Sequence, residues 1–279
     1  MRRLPNFLLV FVVLLGFPNI AFAKPDNKNS NFYPGTSYRF EKLSIDDGLS
    51  QNAGLALLQD RQGYLWIGTQ DGLNRYSGVG LTQYKSDPDD PTSLSHNSII
   101  SLYEDHEGVL WVGTWGGGLN RFNPQTSQFD RFVPDEGDPD AISHGIVTSI
   151  VEDQQERMWI GTLAGLELFD RKTEKFTHFR FDPENRDTLS SDAISVILPA
   201  ADGNLWVGTG SFTSEGKGIN RLSPTTGKVE RLQNESSCLD GANVSSIIEI
   251  SDGSLWIGYG GYGVSGGGLV HFDPKTKSC

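Results

Sequence analysis

The chain has 279 residues, of which 37% are hydrophobic and 33 are glycine, so it holds enough apolar material for a folded core and is not a disordered chain. An excess of 35 acidic over 23 basic residues gives a formal net charge of −12, which argues against general binding to nucleic acid or to an anionic lipid surface. Two cysteines, neither in a CxxC pair, argue against a disulfide-rich scaffold and against a cysteine zinc site.

The first 23 residues have the pattern of a secretory signal peptide. Two arginines precede an apolar run at residues 7–17, and Ala-Phe-Ala at 21–23 fits a small-x-small cleavage site. The run is shorter than the ~20 residues that a membrane-spanning helix needs. We therefore expect cleavage after residue 23, a polar lead at residues 24–36, and an exported, periplasmic protein that contacts the membrane only through this leader. An uncleaved leader that anchors the chain is the alternative.

One five-residue motif recurs along the rest of the chain. Its copies are LWIGT at 65–69, LWVGT at 110–114, MWIGT at 158–162, LWVGT at 205–209 and LWIGY at 255–259. The repeat tryptophans are Trp66, Trp111, Trp159, Trp206 and Trp256, spaced 45, 48, 47 and 50 residues apart. Five copies at so regular a spacing indicate a repeat architecture.

The second unit shows what one repeat contains. Apolar strands are predicted near 99–103, 109–114, 119–123 and 129–133, separated by a polar turn, a glycine hairpin and an Asn-Pro turn. Four short strands with no helical period are typical of one blade of a β-propeller. We predict an all-β propeller of about five four-stranded antiparallel blades over residues 37–279, with the five repeat tryptophans buried between blades.

The two ends of this region leave the number of blades open. Residues 38–43 align with the fourth strand of a blade, and the last unit stops where its own fourth strand should start. The N-terminal strand could therefore complete the last blade. Five blades could close into a tight ring, but we favour a partial propeller that is a piece of a longer protein.

Patterns that carry chemistry are missing from the sequence. The five histidines have no metal-ligand spacing, there is no GxSxG elbow, and the glycine-rich stretches lack the Lys-Ser/Thr end of a phosphate loop. Most acidic residues fall in loops between units, where Asp and Pro form turns. We predict no catalytic residue, no metal and no cofactor. The alternative is an exported propeller enzyme, a glycoside hydrolase or polysaccharide lyase, which would need two carboxylates in one pocket.

The unit LSxNxIxxLxxDxxGxLWVGTxxGGLNRFNP resembles the two-component regulator propeller repeat, and residues 40–50 resemble the start of such regions. The resemblance covers residues 37–279. It implies the extracytoplasmic sensing portion of hybrid histidine kinases and diguanylate cyclases, in which seven-bladed propellers precede a β-sandwich, a membrane helix and a signalling domain. This sequence ends at Cys279 without those parts. The resemblance therefore implies a non-catalytic module that senses a ligand or binds a partner.

Loops between the second and third strands suggest where such a ligand would bind. They are nine residues long in units four and five, against three or four in the first three units. The longer loops carry Phe212 and Tyr262, Tyr259 begins the last loop region, and Trp115 lies in the equivalent loop of unit two. We predict these four aromatic residues as a stacking surface for an oligosaccharide or another extracellular small molecule. Alternatively, the hairpins merely vary in length and the aromatic side chains cover the rim.

The two cysteines are predicted not to bond with each other. Cys238 is placed in the connection between units four and five, and Cys279 at the start of the missing fourth strand, on the opposite face. A five-residue strand would separate them by ~15 Å. A disulfide needs Cα atoms within about 7 Å.

Overall fold

The computed structural model describes residues 42–211, 216–232, 238–239, 243–260 and 267–279. The signal peptide, the polar lead and most of the strand expected at 38–43 lie outside these residues. In the described part, one 3-10 turn at Ile45–Asp47 precedes nineteen strands. None of its helices is long and apolar enough to cross a membrane.

The strands form five separate antiparallel sheets, which we call blades one to five. Blade one contains β1 (Gly54–Gln59), β2 (Leu65–Thr69), β3 (Gly72–Tyr76) and β4 (Leu81–Tyr84). Blade two contains β5 (Ile99–Glu104), β6 (Leu110–Thr114), β7 (Leu119–Asn123) and β8 (Gln128–Phe132). Blade three contains β9 (Val147–Glu152), β10 (Met158–Thr162), β11 (Gly165–Asp170) and β12 (Lys175–Phe179). Blade four contains β13 (Ile194–Pro199), β14 (Leu205–Thr209), β15 (Ile219–Leu222) and β16 (Val229–Arg231). Blade five contains β17 (Val244–Glu249), β18 (Leu255–Tyr259) and β19 (Gly268–Phe272).

Strand order within each sheet follows the chain, and the first strands of consecutive blades contact one another. Each blade is therefore an up-and-down meander whose first strand lies on the inside and whose last strand lies on the outside. This confirms the all-β propeller fold. Blade five has three strands among the described residues, as expected from a unit that ends where its fourth strand should begin.

Four hydrophobic clusters hold consecutive blades together. In each cluster the repeat tryptophan of one blade packs on apolar residues of the next, as Trp111 does on Met158 and Phe169 of blade three. The second strands are buried along almost their whole length because both faces of an inner blade are covered. Trp66, Trp111, Trp159 and Trp206 are at most 3% exposed, so burial between blades is confirmed for four of the five tryptophans.

The prediction was wrong for Trp256, which is 39% exposed. The indole points towards the position of a following blade, and the described residues place no blade against that face of blade five. Two neighbours on the same face share this exposure: Ile248 is 51% exposed, and Leu269 is 66% exposed where its counterparts in the other blades are fully buried.

Glycine two residues after the tryptophan is required by the same packing. A Cβ atom on Gly113 would lie 2.8 Å from the carbonyl oxygen of Val147 in blade three, a backbone atom that cannot move aside. The equivalent Gly258 in blade five would meet the serine side chains of its own first strand and no backbone of another blade. The repeat glycine thus allows the close approach of two blades.

An aspartate six residues before the tryptophan organises each of the first three blades, and it is buried in blades two and three. Asp105 accepts hydrogen bonds from the Trp111 indole Nε1 at 2.8 Å and from two backbone amides of its turn, Glu107 N at 3.0 Å and Val109 N at 2.8 Å. Asp60 and Asp153 make the same set of bonds. Neither the pairing nor its role was recognised from the sequence.

The prediction about the cysteines was wrong, because the structure joins Cys238 to Cys279 with Cα atoms 6.4 Å apart. The position assigned to Cys279 is supported: Asp273 pairs with Ser278, as Asn123 pairs with Gln128 at the start of the fourth strand of blade two. The error lies in the path of the connection between blades.

These connections do not stay on one face of the propeller. Each crosses to the outer edge of the following blade, where its carbonyl accepts a hydrogen bond from the start of the fourth strand. The three bonds are Phe129 N to Thr92 O, Phe176 N to Asp140 O and Val229 N to Asp187 O. Cys238 lies in the next such connection, so the same path explains why it reaches the start of the fourth strand in blade five.

Candidate ligand-binding face

The hairpins between second and third strands lie together with the segments that lead into the blades, on what we call the hairpin face. In blade two, Gly116 N and Gly118 N both donate to Gly145 O, at 2.9 and 2.8 Å, and Trp115 N donates to Ser98 O at 2.9 Å. The hairpin of blade two is therefore held between the segments that lead into blades two and three. Corresponding bonds from Gly72, Gly210 and Gly260 show that this arrangement repeats.

In blades one to four, a threonine at the end of the second strand fixes the hairpin. Thr114 Oγ1 donates to Gly118 O and accepts from Gly117 N, both at 2.9 Å. Thr69, Thr162 and Thr209 form the same pair of bonds. The turn is closed by a buried side chain of its own blade, so a residue at the tip is presented on a fixed support.

Trp115 follows this threonine in blade two and lies on the hairpin face. It pairs with Ile146 through an isolated antiparallel bridge, and 36% of its surface is exposed. It is therefore not buried between blades. Ligand binding by Trp115 stays a prediction.

The other three candidate residues do not join Trp115 in one described site. Tyr259 ends β18 on the same face, but it packs against the core between blades four and five, and blades three and four separate it from the Trp115 hairpin. Phe212 and Tyr262 lie outside the described residues. Of the four candidate residues, Trp115 is therefore the one around which a binding site can be described.

Two histidines lie in the segments that hold the Trp115 hairpin, and their contribution was not predicted from the sequence. His96 lies against Gly116 of the Trp115 hairpin, and His144 precedes the glycine that binds this hairpin. The Nδ1 atom of each ring accepts a hydrogen bond at 3.0 Å, from Ser98 N and from Ile146 N respectively. In the neutral ring Nε2 then carries the proton, so each imidazole has a donor atom in a fixed orientation.

The hairpin face thus combines a partly exposed indole with two half-buried imidazoles held by the backbone. An apolar ring surface with a few placed donors is the composition expected of a small-molecule site. The indole can stack on an apolar ligand surface while the imidazole N–H groups fix its orientation.

A cavity of about 1,090 Å³ is lined by parts of β9, β13 and β17 and by the turns that follow them. Its carboxylates already have structural partners. Glu152 is ion-paired with Arg171 and His106, and its hydrogen bond raises the pKa of His106; Asp153 is bound by Arg157, and Glu249 accepts Ala201 N. Asp252, which also lines the cavity, accepts hydrogen bonds from Ser254 N and Ser254 Oγ. All four carboxylates of the cavity thus take part in contacts within the protein. The described residues also contain no cluster of three or more metal-binding side chains.

Comparison with known proteins identifies the repeat. The family model described as two component regulator propeller matches residues 48–71, 93–116, 141–164 and 188–211. Each match spans the lead-in segment, the first two strands and the start of the hairpin, which together build the hairpin face. Histidine kinase P4 from Formosa agariphila is 36% identical over 89 residues, which are 32% of this chain and 6% of that protein.

Two solved structures from B. thetaiotaomicron are similar over most of the chain. The extracellular domain of a protein described as a hybrid two component system, BT3049, superposes with a TM-score of 0.71 at 28% identity, covering 85% of this chain and 31% of its own. The extracellular domain of BT4673, described as a one component system, gives 0.64 at 27% identity, covering 85% and 32%. The chain spans about a third of each of these structures. It contains four two-component regulator propeller repeats and resembles the extracellular sensor domains of two-component systems.

Proposed function

We propose that this chain is a non-catalytic, extracytoplasmic recognition module that binds a small molecule on the hairpin face. The observation that carries the proposal is Trp115, a partly exposed indole on a rigid hairpin between His96 and His144. The similarity to extracellular sensor domains supports a place outside the cytoplasm.

The net negative charge of the chain disfavours a polyanionic ligand. With a formal net charge of −12, the protein repels polyanions at long range. A neutral oligosaccharide suits the site, because a sugar ring has an apolar face for the indole and hydroxyl oxygens for the imidazole donors. We therefore propose a neutral oligosaccharide as the ligand.

Titration calorimetry of a panel of neutral gluco-, xylo- and manno-hexaoses into residues 24–279 tests this proposal. We expect one class to bind, and Trp115→Ala to raise its Kd at least about tenfold, which corresponds to ~1.4 kcal/mol. Trp256→Ala is the matched control, since Trp256 is similarly exposed at 39% but lies on the end face of blade five. The absence of binding to the whole panel, or equal Kd values for the two variants, would refute the proposal.

Two further measurements test the parts of the proposal that concern export and catalysis. N-terminal sequencing of protein recovered from the periplasm should begin at Lys24, and a start at Met1 would refute cleavage. Release of reducing sugar from the bound oligosaccharide would favour the alternative, an exported propeller enzyme.

A further inference from the structure

One position of the third strand differs chemically in blade three. Blades one, two and four have asparagine there: Asn74, Asn120 and Asn220. In each of them the side-chain oxygen accepts the backbone N–H of the serine that leads into the blade, and the side-chain nitrogen donates to a carbonyl of the second strand. An amide fits this position because it donates and accepts at once. Blade three places Glu167 there, and an ionised carboxylate can only accept.

Glu167 has a fully buried side chain and meets two partners. Ser143 Oγ donates to Oε1, and His178 Nδ1 contacts Oε2. The other ring nitrogen, His178 Nε2, lies 2.8 Å from Pro139 O in the connection between blades two and three. The three side chains therefore tie β11 and β12 to both this connection and the segment that leads into blade three.

The pattern of donors and acceptors requires a proton. Pro139 O can only accept, so His178 Nε2 must carry a hydrogen. The contact between Nδ1 and Oε2 then holds one further proton, on the ring of an imidazolium facing a carboxylate or on the acid facing a neutral ring. When that proton is lost, a ring lone pair faces a buried negative charge, and the contact becomes repulsive.

Charged side chains of both signs lie around the cluster. Arg180 follows on the same strand and favours the carboxylate form of Glu167. Asp135, Glu136 and Asp138 line the same cavity of about 380 Å³ as His178. Burial is the largest influence and raises the pKa of Glu167 above its usual value, whereas the contacts with Ser143 and His178 lower that pKa.

The cluster is connected to the hairpin face by a short path. Ser143 begins the segment Ser143-His144-Gly145, and Gly145 O binds both Gly116 N and Gly118 N of the Trp115 hairpin. Movement of Ser143 away from Glu167 would therefore move the carbonyl that holds this hairpin.

We propose that Ser143, Glu167 and His178 form a proton-dependent latch that fixes the segment leading into blade three and, through it, the Trp115 hairpin. Protonation closes the latch and proton loss opens it. Loss of the shared proton leaves Glu167 Oε2 facing the ring lone pair of His178, so the latch opens as pH rises. Only the consequence for ligand binding rests on the proposed function.

The test uses NMR titration of residues 24–279 without ligand, between about pH 4 and 9. We expect the amide signals of Gly116 and Gly118 to shift with the same midpoint as the side-chain carboxyl carbon of Glu167. Glu167→Asn, which installs the residue of the other blades, should abolish that shift, and Glu167→Gln should do the same if the first variant does not fold. His106→Gln is the matched control, because it removes the His106–Glu152 pair and leaves the cluster intact.

Glycine amides that do not titrate, or that titrate equally in the Glu167 variants, would overturn the latch. A second arm measures the Kd of the bound hexaose across the same midpoint. We expect it to rise about fivefold in the wild type and to stay constant in Glu167→Asn. Failure of all hexaose binding with intact amide titration would refute the proposed function and leave the latch standing. Binding whose Kd does not depend on pH would refute the coupling between the two.

Discussion

Blade four lacks the aspartate that binds the repeat indole in blades one to three, and this predicts a stabilising substitution. Ala200 occupies the position of Asp105 and Asp153, so the indole Nε1 of Trp206 is buried with no hydrogen-bond partner among the described residues. A buried donor without a partner costs about 1–3 kcal/mol. Ala200→Asp should supply the missing acceptor.

The size of the gain follows from what Asp153 does in blade three. Its carboxylate accepts the Trp159 indole at 2.9 Å and two backbone amides of its turn, Gln155 N at 2.9 Å and Arg157 N at 3.1 Å. Part of that gain is offset because the introduced carboxylate must be buried. We expect a net stabilisation of about 1–2 kcal/mol, and a melting temperature higher by roughly 2–8 °C.

Urea unfolding followed by circular dichroism measures this change as a higher midpoint at unchanged slope. Asp105→Ala is the converse experiment: it removes the acceptor of Trp111 and should lower the free energy of unfolding by about 2–4 kcal/mol. An unchanged or lower midpoint for Ala200→Asp, together with a loss below about 0.5 kcal/mol for Asp105→Ala, would show that the indole bond does not stabilise the blades.

Three other predictions follow from the contacts between blades. Gly113→Ala should destabilise the fold by about 1–3 kcal/mol, because the new Cβ atom clashes with the backbone of the neighbouring blade. Gly258→Ala should destabilise the fold clearly less. Equal losses of unfolding free energy in urea would contradict the packing argument. The hydrogen bond to the Glu152 carboxylate raises the pKa of His106. The stability that this bond contributes is therefore present below about pH 6.5 and is lost as pH rises through the pKa of His106 in the folded protein. NMR titration should find a midpoint above that of a free histidine. Peptide mapping without reduction should recover Cys238 linked to Cys279, and reduction should cost about 3–4 kcal/mol; a free thiol at either residue would contradict the structure.

The spacing of the tryptophans was enough to predict the blades, their strand order and the burial of Trp66, Trp111, Trp159 and Trp206. The exposure of Trp256 could not be predicted from its own repeat, because an indole at this position is buried only when a following blade covers it. The disulfide was missed for a related reason. The connection crosses to the outer edge of the next blade, and that path depends on hydrogen bonds between segments far apart in sequence.

Sequence reasoning found less of the candidate site. His96 and His144 stand at one repeat position, but their relation to Trp115 depends on the contact between a hairpin and the segment that leads into the next blade. The sequence itself shows that Glu167 is an exception, because three other repeats have asparagine at this position. Aligning the repeats residue by residue would have shown this exception. Its bonds to Ser143 and His178 needed the structure.

The uneven number of neighbours along the row of blades has a consequence for cooperativity. Among the described residues, blades two, three and four each share two of the four interblade cores, while blades one and five each share one. In a structure whose stability is a sum of units and nearest-neighbour interfaces, opening starts where an interface is missing. Amide exchange should therefore be fastest in the outer two blades. The disulfide joins blade five to the connection that reaches it from blade four. This covalent bond adds support where apolar packing is thinnest.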